Sequence, residues 1–263
     1  MSLPAPTPNT HVLVTGASSG IGAQIARVVA ARGHDVAIVA RRRERLDELA
    51  RELRDAHGVA VAVHECDLGD PEARRALIAE LTAGEKAVVG LVNSAGFGTS
   101  GSFLALDPER ELEQIEVNVA ALVELTHTLG AAMVERGEGA ILNVASIAAF
   151  QPLPALATYS ATKAFVQTFS EAFHEELRGT GVSCTVLCPG PVPTEWAEIA
   201  DAEDAMIGVA QVSVGDVAEA AVRGMRKSKR SVIPGRVPQA IATAGRYLPR
   251  TALLPVVHRV LAH

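Results

Sequence analysis

A glycine turn wedged between an apolar strand and an Ala-rich helix constrains this chain more than any other feature. His11-Val12-Leu13-Val14 is a short apolar run of the kind that forms a buried strand. Thr15-Gly16-Ala17-Ser18-Ser19-Gly20-Ile21-Gly22 follows at once. Residues 21–32, rich in Ala, Val and Ile, then read as a helix that stops before Gly33. Strand, glycine turn and helix make the opening of a dinucleotide-binding unit. Glycine allows the tight turn and lets the backbone approach a pyrophosphate, whose charge the helix N-terminus favours. The spacing Gly-xxx-Gly-x-Gly differs from the commoner Gly-x-Gly-xx-Gly. The place of the turn near the N-terminus, between strand and helix, favours cofactor binding over a purely structural bend.

Apolar strands and amphipathic helices alternate along the rest of the chain. Strands are predicted near 11–15, 35–40, 59–65, 87–93, 140–145, 182–188 and 231–234. Between them fall helical stretches at 43–57, 71–81, 108–136, 156–178 and 213–226. Asp70 before Pro71 and Asp107 before Pro108 predict helix starts, as does the Ser213-x-x-Asp216 pattern. Such alternation predicts an α/β fold: a Rossmann-type, doubly wound parallel sheet of about seven strands with helices on both faces. With no repeat and no linker, residues 11–263 form one domain, preceded by a disordered tail over 1–10.

Chemistry-bearing residues gather at the predicted strand ends. Asn93-Ser94-Ala95-Gly96 ends one apolar run and Ser146 ends another. In an open parallel sheet those ends face the ligand crevice. Tyr159 and Lys163 stand four apart in Tyr-Ser-Ala-Thr-Lys, on one face of a predicted helix. A phenol is a poor acid or base at neutral pH, and a neighbouring ammonium lowers its pKa. The pair is a candidate proton-transfer device.

With these motifs in family order over residues 11–194, the chain resembles the short-chain dehydrogenase/reductase family. The matching residues are the glycine turn, Asp67-Leu68, Asn93-Ser94-Ala95-Gly96, Asn118, Ser146, Tyr159-xxx-Lys163 and Pro189-Gly190 with Thr194. Ser94 departs from a position where the family often has a second Asn. The resemblance implies roles. Tyr159 exchanges a proton with the substrate oxygen, Lys163 lowers the phenol pKa and reaches the nicotinamide ribose, and Ser146 hydrogen-bonds the substrate oxygen. Asn118 supports a water that extends a relay to Lys163. Gly16, Ser18, Ser19, Gly20, Ile21 and Gly22 hold the pyrophosphate, with Asn93, Ala95, Gly96, Pro189 and Gly190 lining the cofactor crevice. Asp67 accepts from the adenine amino group and Leu68 packs near that ring. Val192 and Thr194 close over the nicotinamide amide, in a segment, 191–212, that the family uses as a substrate lid and that here carries Asp201-Ala202-Glu203-Asp204.

The second strand bears on the choice of dinucleotide. Members of this fold that use NAD place an acid there for the ribose 2′-hydroxyl. Here Val36-Ala37-Ile38-Val39 leads to Ala40 and then Arg41-Arg42-Arg43. Arg41 is assigned to a 2′-phosphate, which makes NADP(H) the expected cofactor. Arg43 and Arg45 read as the solvated start of a helix.

Composition removes several other classes. A net charge of −6 argues against general nucleic-acid binding. There is no run of 18 apolar residues to span a bilayer, and the first residues lack the basic start and apolar core of a signal peptide. Cys66, Cys184 and Cys188 have no zinc spacing and read as thiols of a reducing cytoplasm; none of the eight histidines is assigned to a metal. The expected activity is oxidoreduction of a small carbonyl or secondary alcohol. The apolar, Arg-bearing segment 236–263 is expected to pack on the core or on a subunit partner, or to cover helices 108–136 and 156–178 within a monomer; two other readings of the whole chain are an enzyme working on lipidic substrates at a membrane through that segment, and a non-catalytic NADP-sensing binding protein. The helices 108–136 and 156–178 carry Leu112, Ile115, Val119, Leu122, Leu125, Phe165, Val166, Phe169 and Phe173, more than one apolar stripe, which predicts a homodimer or homotetramer.

Overall fold

Seven apolar runs pair as one parallel sheet, because strands buried on both faces need helices to cover them. In the computed structural model, which describes residues 3–200 and 211–261, the strands are β1 (Thr10–Thr15), β2 (Asp35–Ala40), β3 (Val61–Glu65), β4 (Ala87–Asn93), β5 (Gly139–Val144), β6 (Val182–Leu187) and β7 (Ser231–Val232). Their order is β3-β2-β1-β4-β5-β6-β7, and every pairing is parallel. The chain winds outward from β1 to β3, then crosses back to β4 on the other side of β1. The order reverses between β1 and β4, and a crevice opens at their carboxyl ends.

Ten α-helices accompany the sheet among the described residues. They are α1 (Gly20–Ala30), α2 (Arg43–His57), α3 (Pro71–Ala83), α4 (Pro108–Ile115), α5 (Ala121–Arg136), α6 (Ala157–Glu176), α7 (Trp196–Ile199), α8 (Val214–Arg226), α9 (Arg236–Tyr247) and α10 (Arg250–Leu261). On one face Ile25, Val29, Leu46, Leu53, Val222 and Met225 of α1, α2 and α8 pack on Val12, Val14 and Ile38. On the other, Leu77, Leu125 and Met133 of α3 and α5 pack on Leu13, Leu91 and Ile141. Each such side chain contributes about 1.5–3 kcal/mol by leaving water. The expected caps form: Asp70 accepts from the amide of Glu72, Asp107 from that of Glu109 and Ser213 from that of Asp216.

Three expectations are corrected. The helix predicted over 108–136 is not continuous, since residues Glu116–Ala120 between α4 and α5 form a π-helical turn. That wider turn points Asn118 inward, where it is buried. By length and composition Pro108–Arg136 is apolar enough to cross a bilayer, but its Leu122, Leu125, Leu129 and Met133 are buried in the core. The segment before β1 is not a free tail, because Leu3 is buried in the core, where its Cδ1 would lie 2.9 Å from a Cβ on Gly90. Residues 236–261 form α9 and α10, with Ala242, Leu253 and Val257 buried. The acidic stretch 201–204 lies outside the described residues.

Candidate active site

The crevice widens into a cleft of about 740 Å³. Its floor is the glycine turn between β1 and α1. Gly16 adopts φ +66, and a Cβ there would stand 2.8 Å from Cα of Ala95; a Cβ on Gly22 would stand 2.4 Å from the Gly16 carbonyl oxygen. Neither position admits another residue without moving backbone. Thr15 holds the two strand ends together, its hydroxyl donating to the Val92 carbonyl and accepting from the amides of Ser94 and Ala95. Gly16, Ser18, Ser19, Gly20, Ile21, Gly22, Asp67, Leu68, Ala95 and Gly96 all line the cleft, with Pro189, Gly190, Val192 and Thr194 opposite.

Asn93 does not. Its side chain is buried beneath the cleft, where Nδ2 donates to Thr126 Oγ1 at 3.0 Å and to Asn143 Oδ1 at 2.9 Å. As the last residue of β4 it points into the helical layer, while Ser94 to Gly96 turn toward the cleft. Asn118 also stays out of the cleft. Its Nδ2 donates to the Phe97 carbonyl at 2.9 Å and to Thr162 Oγ1, and its Oδ1 accepts from the Phe97 amide. Its side chain therefore positions the loop at Gly96 and Phe97 against α6.

Arg41 and Arg42 both line the cleft but bond differently. Arg41 Nη1 donates to Glu113 Oε1 at 3.2 Å and lies 3.8 Å from Asp67 Oδ2. Arg42 faces the glycine turn: Nη2 donates to Ser18 Oγ at 3.1 Å and Ser19 Oγ at 2.9 Å and pairs with Glu195 Oε2 at 2.8 Å. That bond holds the Glu195 carboxyl below its ordinary pKa. The sequence reading singled out neither Arg42 nor Glu195. The arginine run was the signal, but nothing in it says which guanidinium turns inward.

Deeper in the cleft, Tyr159 and Lys163 are both buried on α6. Ser146 ends the loop after β5 and caps the short 3₁₀ turn Ile147–Phe150, its Oγ accepting from the Ala148 amide at 3.1 Å. Burial pushes the Tyr159 phenol up to about 12, against the pull of its hydrogen bond with Ser146. Burial pushes Lys163 down to about 8. Its Nζ donates to the Val144 carbonyl at 2.9 Å and lies 5.8 Å from the Tyr159 ring centroid. Burial drives both groups toward their neutral forms, and the Lys163 ammonium is turned to a backbone carbonyl.

The short chain dehydrogenase family model matches residues 10–231. The chain belongs to the short-chain dehydrogenase family. It is 38% identical to sulfoacetaldehyde reductase 2 of Chromohalobacter salexigens over 192 residues, 70% of this chain and 73% of that one. It is 35% identical to the very-long-chain 3-oxoacyl-CoA reductase of Anas platyrhynchos over 193 residues, 71% of this chain and 61% of that one. Among solved structures, a short-chain dehydrogenase from Sphingobium yanoikuyae in complex with NADPH superposes with a TM-score of 0.82 at 34% identity, covering 94% of this chain and 95% of that one.

The cleft of this dehydrogenase fits the nicotinamide dinucleotide that the family uses. Gly16 and Gly22 leave a cradle where any Cβ would collide, at the N-terminus of α1, which favours a pyrophosphate. Beyond Tyr159 the dehydrogenase has a wall that the sequence reading missed. The ring of Trp196, from α7, stands 4.8 Å from that of Tyr159. Leu153, Leu156, Ile199, Ile241, Val256 and Val257 complete the lining there. The C-terminal helices α9 and α10 thus close the cleft rather than cover α4 and α5.

Proposed function

We propose that this short-chain dehydrogenase is an NADP(H)-dependent oxidoreductase acting between a carbonyl and a secondary alcohol, with Tyr159 as proton donor and acceptor. The observation that carries the reading is the Tyr159 phenol, buried in the wall of the cleft that Ser146 also lines and one helical turn from Lys163. The nicotinamide, when bound, supplies or accepts the hydride. Tyr159, protonated at neutral pH as a phenol ordinarily is, gives its proton to the carbonyl oxygen in reduction and takes one from the hydroxyl in oxidation. Ser146 donates to the same oxygen as negative charge develops on it. Lys163, with a pKa of about 8, stands close to neutrality and can pass a proton onward. The 2′-phosphate preference is supported by Arg42 over Ser18 and Ser19, with Arg41 at the rim.

The relatives' printed substrates, sulfoacetaldehyde and a very-long-chain 3-oxoacyl-CoA, share a carbonyl and little else, which supports the reaction class alone. Free, buried Cys66, Cys184 and Cys188 support a reducing, cytoplasmic setting. Exposed Leu112, Ile115 and Phe165 support a homodimer or homotetramer.

Tyr159→Phe tests the reading. Turnover with NADPH should fall by about a hundredfold or more, the reach of general acid catalysis, while NADPH affinity stays within a few-fold. Activity close to that of the unmutated enzyme would overturn it.

A further inference from the structure

We propose that the catalytic end of the cleft takes a bulky, uncharged ketone or secondary alcohol flanked by hydrocarbon and discriminates against small anionic carbonyls. This rests on the oxidoreductase reading above. The space beside Tyr159 is walled by the Trp196 ring, by Leu153 and Leu156 before α6, and by Ile199 of α7. Its far side comes from Ile241 of α9 and Val257 of α10. Those helices are held in place. Pro238 of α9 lies 2.6 Å from where a Cβ on Gly190 would stand, Arg246 reaches Glu171 of α6 at 3.4 Å, and Val257 is only 9% exposed. Apolar surface on several sides of the reacting oxygen rewards a substrate with hydrocarbon on both flanks.

Among the described residues, every cation that lines the cleft is already bonded within the protein. Four cations line the cleft among the described residues: Arg41, Arg42, Arg110 and Lys163. Arg41 and Arg110 share Glu113, and the Arg110 guanidinium also lies 4.0 Å over the Phe97 ring. Arg42 is bonded to the glycine-turn serines and Glu195. Lys163 donates to the Val144 carbonyl and is sealed in the wall, with 6% of its surface exposed. Of the residues outside the described ones, 201–210 contain no Lys, Arg or His and the remaining four include one histidine, His263. A sulfonate or carboxylate entering this end would lose water without gaining a partner.

Trp196 is the single tryptophan of the chain, so its fluorescence reports occupancy beside Tyr159. The test titrates a series of methyl ketones from butanone to decanone, and sulfoacetaldehyde as the small anionic probe, against the enzyme with NADP⁺ bound. Turnover with NADPH is measured in parallel. Affinity should tighten about three- to fourfold per added methylene until the cleft is filled. The kcat/KM for sulfoacetaldehyde should lie at least about tenfold below that for decanone. Val256→Lys, at a cleft-lining position that is 61% exposed, should weaken decanone about tenfold and improve sulfoacetaldehyde. A flat ketone series, or a preference of the unmutated enzyme for sulfoacetaldehyde, overturns the proposal whatever the variant does. Chain-length-dependent binding without NADPH oxidation would leave the proposal standing and overturn the oxidoreductase reading instead.

Discussion

Arg41 and Arg42 leave the end of β2 toward different neighbours, and that difference bears directly on cofactor choice. Arg41 shares Glu113 with Arg110, so much of its charge is already answered. Arg42 reaches the Ser18 and Ser19 hydroxyls of the glycine turn and borrows Glu195 as its anion. A 2′-phosphate would compete with the Glu195 carboxylate for the same guanidinium. Arg42→Ala should therefore weaken NADPH by roughly 10- to 100-fold, about 1.5–3 kcal/mol for charge-assisted bonds, and leave NADH nearly unchanged. Arg41→Ala should cost less, and Glu195→Gln should tighten NADPH by freeing Arg42. Isothermal titration of each variant with both dinucleotides is decisive, and an unchanged NADPH-to-NADH ratio in Arg42→Ala would remove the assignment. Tyr159 carries the same lesson. Four-residue spacing puts Lys163 on the same buried face as Tyr159, and the structure turns its amine to the Val144 carbonyl, while burial pushes the phenol up.

Polar side chains join the elements beneath the cleft. Asn93 at the end of β4 reaches Thr126 of α5 and Asn143 of β5, and Asn143 Nδ2 donates in turn to Ser170 Oγ of α6 at 2.9 Å. Asn143 has no exposed surface. This chain of bonds sets the central strands β4 and β5 against the helix that carries Tyr159 and Lys163. Asn143→Ala would leave a void and strip a partner from two buried groups. It should cost about 2–4 kcal/mol of stability, read as a lower urea midpoint with unchanged m-value. A loss under about 1 kcal/mol would mean that apolar packing alone sets this geometry. The π-helical turn between α4 and α5 acts similarly, because without its extra width Asn118 would miss the Phe97 backbone and Thr162.

Among the described residues, α4 and α6 leave apolar side chains uncovered. Leu122, Leu125 and Val166 are consumed by the core, which narrows the surplus that the sequence suggested to Leu112, Ile115 and Phe165 on α4 and α6. Phe165, Phe169 and Phe173 stack in a row along α6, with centroids 5.9 and 5.7 Å apart. The C-terminal helices do not shield Leu112 or Phe165, which are 64% and 43% exposed. Light scattering at micromolar concentration should give at least twice the mass of one chain, and Leu112→Lys with Phe165→Lys should shift it toward the monomer. A monomeric mass for the unmutated chain would overturn this.

The fold and most of the cleft floor were legible because they are written in local patterns. Strand and helix periods, Asp-Pro and Ser-x-x-Asp starts and the spacing of Gly16, Gly20 and Gly22 each depend on neighbours a few residues away. Ser146, Tyr159 and Lys163 were legible for the same reason, being set by a strand end and a helical turn. What could not be read depended on contacts distant in sequence. Whether Asn93 faced the cleft or the layer beneath it was decided by Thr126 and Asn143. Which arginine met the glycine turn was decided by Ser18, Ser19 and Glu195. The apolar wall opposite Tyr159 came from Trp196, Ile241 and Val257. Those residues meet only after the sheet is built, because side-chain direction at the end of an element is set by what packs against it, and no local period records that.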